Sequence, residues 1–195
     1  MGEVEVPNLQ ELKEMRDDRF TKGVALVTAV FAVALAITSL GGSNAMKEML
    51  LSQQKASDQW AFYQAKVMRE HHYKTQKSVI EALLLERGDA MKPEAKANYE
   101  TLAKKMGDDA TRYATEKKEI ETAAKALEAT RDLNQRKDPY FDYAEVLLQI
   151  SIVMASISIV ASSRPVFGFA CLMAVAGSVL SFNGYFLVFA MRFIE

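Results

Sequence analysis

Two long stretches of this chain carry almost no charge, and that gap constrains the fold more than any other feature. No charged residue lies between Lys22 and Lys47, and only Arg164 and Arg192 interrupt the run from Glu145 to Glu195. Charge is dense elsewhere, so the mean hydropathy of -0.05 averages two unlike materials. A membrane-crossing helix needs ~20 apolar residues. Gly23 to Leu40, Val146 to Ser163 and Val166 to Ala190 supply three such segments. The reading is three transmembrane helices over residues 23–42, 143–163 and 166–191, after an N-terminal segment of residues 1–22. A signal peptide flanked by Arg19 and Lys22 is the rival for the first. No small-residue cleavage site follows it, and the later segments also span. A buried hairpin of a soluble protein is the rival for the last two. Arg164-Pro165 is expected to form the tight turn between them.

The charged stretch between the spans reads as helix throughout, with no alternating strand pattern. Pro93 and Pro139 sit at expected boundaries, since proline suits first turns and links rather than helix interiors. Gly88-Asp89 ends one helix candidate, 43–87, and Pro93 opens a second, 93–136. Each is ~65 Å long at 1.5 Å per residue. Two matched helices joined by a short linker predict an antiparallel hairpin, 43–137, outside the bilayer.

The second helix repeats every seven residues at Tyr99, Met106, Tyr113, Ile120, Leu127 and Asn134. Leu102 and Ala123 fill the alternating slot, and Ala103, Ala110 and Ala124 lie beside it. That is the pattern of a coiled-coil seam. Charges at i,i+4 decorate its outside: Lys96 with Glu100, Arg112 with Glu116, Lys117 with Glu121, Asp132 with Arg136. Folding about residues 88 to 93 sets Trp60 against Ile120, Val67 against Tyr113, Ala56 against Ala124 and Val79 against Leu102, with Leu83 near Tyr99. The expected hairpin core is therefore Trp60, Val67, Val79, Tyr99, Leu102, Met106, Tyr113, Ile120 and Leu127. Leu51, Phe62, Tyr73 and Leu84 recur every eleven residues, which puts them on one face of a straight helix. That face points away from Trp60 and is expected to be an oligomer interface.

Composition excludes several functions. A net charge of -1 offers no basic surface to nucleic acid. Cys171 stands alone, so no disulfide forms within one chain. His71 and His72 project ~100° apart on a helix and lack the spacing of a zinc motif, so no metal is expected. His71 is expected to face Asp109. With no nucleophile–base pair and no glycine-rich phosphate loop, neither catalysis nor a cofactor is expected.

Small residues stripe each span: Ala25, Ala29, Ala32 and Ala36; Ser151, Ala155, Ser158 and Ser162; Ala170, Ala174 and Ser178. Such stripes let transmembrane helices approach closely. Gln149 and Asn183 are the strongest polar groups inside the spans. Tyr140, Phe141 and Tyr143 read as an interfacial aromatic belt. Lys13, Arg16, Arg19, Lys22 and Arg164 favour a cytoplasmic N-terminus with the hairpin on the opposite side. Leu9, Leu12 and Met15 would line one side of a short helix before the first span.

The run from Leu50 to Lys66, with Asp58-Gln59-Trp60 at its centre, resembles the signature of a bacterial family of small membrane proteins, domain of unknown function 4337. The opening EVEVP, the early span and the paired apolar segments at the end are also similar. The resemblance implies an all-α, multi-pass protein of the bacterial inner membrane, and no catalytic or binding residues. The expected function is a non-enzymatic structural or interaction protein that forms homo-oligomers and contacts membrane lipids. An accessory subunit or scaffold of a larger membrane complex, or a component of an oligomeric channel or transporter, is the alternative.

Overall fold

The computed structural model describes the backbone of residues 9–189 and the side chains from residue 18 onward. The expected apolar side of the N-terminal helix lies outside the described side chains, as does the third span beyond Phe189. Helix dominates, with no strand among the described residues. Helix α1 runs Leu9–Arg87, α2 Pro93–Val160 and α3 Arg164–Phe186, and a 3-10 turn, Gly88–Ala90, joins the first two. All three are long and apolar enough to cross a membrane.

Two expected breaks are absent. Helix α1 passes through Gly41-Gly42-Ser43 without interruption, and α2 passes through Pro139. A proline inside a helix loses one hydrogen bond and crowds the carbonyl four residues back. Here that residue is Gln135, which is exposed. The next residues, Tyr140, Phe141 and Ala144, are buried, and this packing offsets the local cost. The first apolar segment and the charged helix that follows it are therefore one element, and so are the helix opened by Pro93 and the second apolar segment.

The chain divides into two compact units, Met1–Glu48 with Leu133–Glu195, and Met49–Asp132. In the first, α1, α2 and α3 pack around Val24, Phe31, Leu148, Ala155, Ala170 and Ala174. The predicted small faces of α2 and α3 are largely inward: Ser151, Ala155, Ser158, Ala170 and Ala174 are buried. Ser178 is exposed, and Gly177 and Ser181 are buried in its stead. Helix α1 does the reverse of what its stripe predicts. Ala25, Ala29, Ala32 and Ala36 are exposed, whereas Val24, Phe31 and Thr38 are buried. The reason is volume. Two helices with small inner faces leave room for the large side chains of the third, and alanines there would leave voids.

Buried hydroxyls in this unit find partners close by. Ser151 donates to the Leu148 carbonyl at 2.6 Å and Ser158 to that of Ala155 at 2.7 Å. Thr38 donates to the Ala34 carbonyl and lies 2.8 Å from the Ser181 hydroxyl. Asn183 closes the end of α3. Its amide donates to the Phe189 carbonyl and its side-chain oxygen accepts from the Phe189 N–H, both at 2.8 Å. The turn after α2 lies at Ala161–Ser163, and Arg164-Pro165 opens α3. Ser162 adopts a left-handed φ of 45°. Ser163 N–H reaches the Ser158 carbonyl and Ser162 N–H that of Ile159, the hydrogen bonding of a Schellman helix end.

Candidate functional site

Within residues 49–132 the two helical segments run antiparallel, but about one helical turn out of the expected register. Tyr73 stacks on Tyr113 with ring centroids 5.5 Å apart, rather than facing Asp108. Lys77 lies over Gly107, rather than Lys104. Arg131 donates to Gln53 at 2.8 Å. Trp60 is not opposite Ile120; its indole N–H donates to Glu128 at 2.9 Å, and its ring meets Tyr63 edge-on. The helix ends are not the cause, since α1 ends at Arg87 and α2 opens at Pro93, the bounds from which the expected register was drawn; the fold axis within the turn falls later than the midpoint of 88 to 93.

The shift redraws the seam. On α1 the covered positions include Ser52, Ala56, Gln59, Tyr63, Lys66, Glu70, Tyr73, Lys77, Ile80 and Leu84, in alternating steps of four and three, and Trp60 and Leu83 are half-buried beside them. On α2, Tyr113 is buried and Tyr99, Met106, Ile120 and Leu127 are half-buried. Their alternates are Ala103, Ala110, Lys117 and Ala124; Leu102 and Ala123 are exposed. Val67 and Val79, expected in the core, are 37% and 63% exposed.

The eleven-residue stripe does not form a straight ridge either. Leu51 and Phe62 are exposed, but Tyr73 and Leu84 are half-buried in the seam. Burial recurs every 3.5 residues, so a stripe of period 11 advances by roughly 50° at each step relative to the partner helix. It begins outside and ends inside.

Charge fills the space the missing apolar residues leave. Glu70 is buried, and its two oxygens lie 2.6 Å from the ammonium groups of Lys74 and Lys117. The hydrogen bond from Lys117, then that from Lys74, holds the Glu70 carboxyl below its usual range, against the opposing effect of burial. Lys66 pairs with Glu116, whose carboxyl is lowered in the same way. Lys66, Arg69 and Arg112 surround the Tyr113 ring at 4.9–5.8 Å from its centroid, a cation–π arrangement. Lys117 therefore reaches Glu70 across the seam, not Glu121 along its own helix; Glu121 pairs with Lys125. Asp109 pairs with Arg112 at 3.0 Å, while His71 is exposed. His72 lies beside Gln76. Among the described residues no three metal-ligating side chains converge.

The exposed apolar surface lies elsewhere on this unit. Val79, Ile80, Leu102 and Met106 line an open groove of about 540 Å³, edged by His72, Thr75 and Gln76. Val79 and Leu102, expected to meet in the seam, both line it instead. Spacing alone could not reveal this groove, because it follows from the register.

The family model described as domain of unknown function (DUF4337) matches residues 20–187. The chain belongs to this family. The match takes in the first two apolar segments, most of the third and the whole charged stretch, so the DUF4337 pattern extends over most of both units. No curated protein and no solved structure matches the chain.

Proposed function

We propose that this DUF4337 chain is a non-enzymatic, membrane-anchored interaction protein that assembles with copies of itself. In this reading three transmembrane helices hold an antiparallel coiled-coil hairpin outside the bilayer of a bacterial inner membrane. The N-terminus is cytoplasmic and the hairpin lies on the opposite side. The apolar exteriors of the helices support membrane insertion. Leu26, Val30, Val33, Val153, Ile157, Leu172 and Val175 are each 47–72% exposed, a surface suited to lipid rather than water.

The observation that carries self-assembly is the open groove. Val79 and Leu102 remain exposed there, and Phe62, Met68 and Leu85 are 60%, 75% and 92% exposed on the same helix as Val79. Apolar area of this kind gains from burial at ~25 cal/mol per Å². A second copy presents the same surface, so a two-fold contact could bury both at once.

The test is mass measurement in mild detergent. Wild type should be a multimer, and Phe62→Lys with Val79→Lys should be a monomer with unchanged helicity. An unchanged multimer would remove the hairpin from the assembly. A stoichiometric unrelated chain co-purifying from native membranes would instead indicate an accessory subunit.

A further inference from the structure

We propose that the groove between α1 and α3 holds one glycerophospholipid, its phosphodiester seated between Lys47 and Lys137. The proposal rests on the membrane reading but not on self-assembly.

The headgroup end is a pocket of about 370 Å³ in the first unit. Asn44, Lys47 and Glu48 contribute from α1, Lys137 from α2 and Tyr185 from α3. Lys47 is the first charge after the uncharged run of α1. Lys137 lies just before the buried aromatic pair Tyr140 and Phe141 of α2. Both are therefore at the depth where lipid phosphates lie. Among the described residues neither lysine has a carboxylate within 4.0 Å. Two ammonium groups and one carboxylate leave the lining with a single positive charge, which complements a phosphodiester monoanion. Asn44 adds an amide donor.

The wall of this pocket is fixed. A Cβ on Gly41 would lie 2.6 Å from Phe141 Cε1 and from the Tyr185 hydroxyl, and one on Gly184 would lie 3.0 Å from Phe141 Cε1. The two glycines let the Phe141 ring enter between α1 and α3. Tyr185 meets that ring edge-on at 4.9 Å and donates to the Ile37 carbonyl at 2.9 Å.

A second cavity distinguishes a lipid from a free anion. It measures about 360 Å³ and is lined by Val30 and Ala34 of α1 with Val175, Ser178, Val179 and Phe182 of α3. Steps of seven keep to one side of a helix packed at 3.5 residues per turn. Positions 34, 41 and 48 of α1 share a side, as do 178 and 185 of α3. In this proposal the two cavities are successive parts of one groove along these sides. Ala34 to Asn44 is about 15 Å of helix rise, close to half of the ~30 Å hydrocarbon core. One acyl chain would extend from the lysines into the apolar cavity.

The test is native mass spectrometry of the full chain from detergent micelles doped with phosphatidylglycerol. Wild type should retain one phospholipid per chain. Lys47→Gln with Lys137→Gln should cut the retained fraction at least tenfold, and neither side chain is buried. Ser178→Trp, which fills the apolar cavity while leaving both lysines, should cut it similarly. The Phe62→Lys, Val79→Lys protein should retain lipid as wild type does, whatever its oligomeric state. Equal lipid retention by wild type and the lysine variant would overturn the proposal, even if Ser178→Trp failed to fold. So would inorganic phosphate displacing the lipid from wild type at comparable concentration, since the apolar cavity would then contribute nothing.

Discussion

The two units of this chain are built from the same helices but have opposite interiors. In the first, apolar side chains cover the outside, and the inside holds serines, a threonine and an asparagine among small and large apolar groups. In the second, the outside mixes charge with exposed apolar groups such as Phe62, Met68 and Leu85, and charge also enters the seam, where buried Glu70 meets Lys117. Both arrangements satisfy one rule, that a buried polar group must have a partner. The first unit satisfies its hydroxyls largely from carbonyls of the same helix. The second uses ion pairs between helices. Its mutual attraction is therefore tied to charge state and register, whereas that of the first is tied to shape.

The largest expected effect tests shape. Gly41→Leu would drive a side chain into Phe141 and Tyr185, and overpacking of this kind costs about 3 kcal/mol. The midpoint of detergent-to-denaturant unfolding should fall for the first unit, and Phe141→Ala in the same chain should recover part of the loss. A variant as stable as wild type would show that α1 and α3 do not approach there.

Charge is tested next. Glu70→Ala should destabilise the 49–132 unit by about 2 kcal/mol, because a charged hydrogen-bonding group is lost from a buried site. Glu70→Leu with Lys117→Leu should be much less harmful, since replacing both members of a buried pair with apolar groups is often neutral. Thermal melts of the four proteins in a double-mutant cycle would measure the coupling.

Acid should separate the units by sign. The Glu70 and Glu116 carboxyls are lowered by their lysine partners. Their stabilisation is complete above the unfolded carboxylate value, about 4.3, and is lost as pH falls through the lower folded values. Asp138 in the first unit goes the other way. Burial, with a smaller contribution from Asp142, raises its carboxyl. The folded state then binds the proton more readily than the unfolded one, so this group adds stability as pH falls. Melts monitored between pH 7 and 3 should show the 49–132 unit weakening first. A hairpin insensitive to acid would refute the ion-pair account.

Register can be read directly. In a Cys171→Ser background, cysteines at 77 and 107 should crosslink faster than cysteines at 77 and 104. The reverse order would restore the register drawn from the sequence. The smallest effect belongs to the first unit: Thr38→Val removes the contact with Ser181 and, on the membrane reading proposed above, should cost about 0.6 kcal/mol, typical of a hydrogen bond between transmembrane helices.

Much of this was legible from charge spacing alone. The three apolar segments, the all-helical class and the α2 positions Tyr99, Met106, Tyr113, Ile120 and Leu127 follow from local periodicity, which a helix expresses without help from its neighbours. Pro139 and Gly41-Gly42 misled because their local preference for a break is worth only a few kcal/mol. The packing of Phe141 against those glycines outweighs it. The Ala25 stripe misled for a similar reason, since which face of α1 turns inward depends on the volumes α2 and α3 offer.

Sequence alone determined which stretches of this chain are apolar enough to cross a membrane and which are too charged to do so, because the free energy of exposing a charge or a leucine is a property of the side chain itself. Tertiary structure alone decided the register of the hairpin, and with it the burial of Tyr73, the exposure of Val79 and Leu102, and the pairing of Glu70 with Lys117. A seam rich in alanine and charge tolerates more than one alignment, and local periodicity does not select among them.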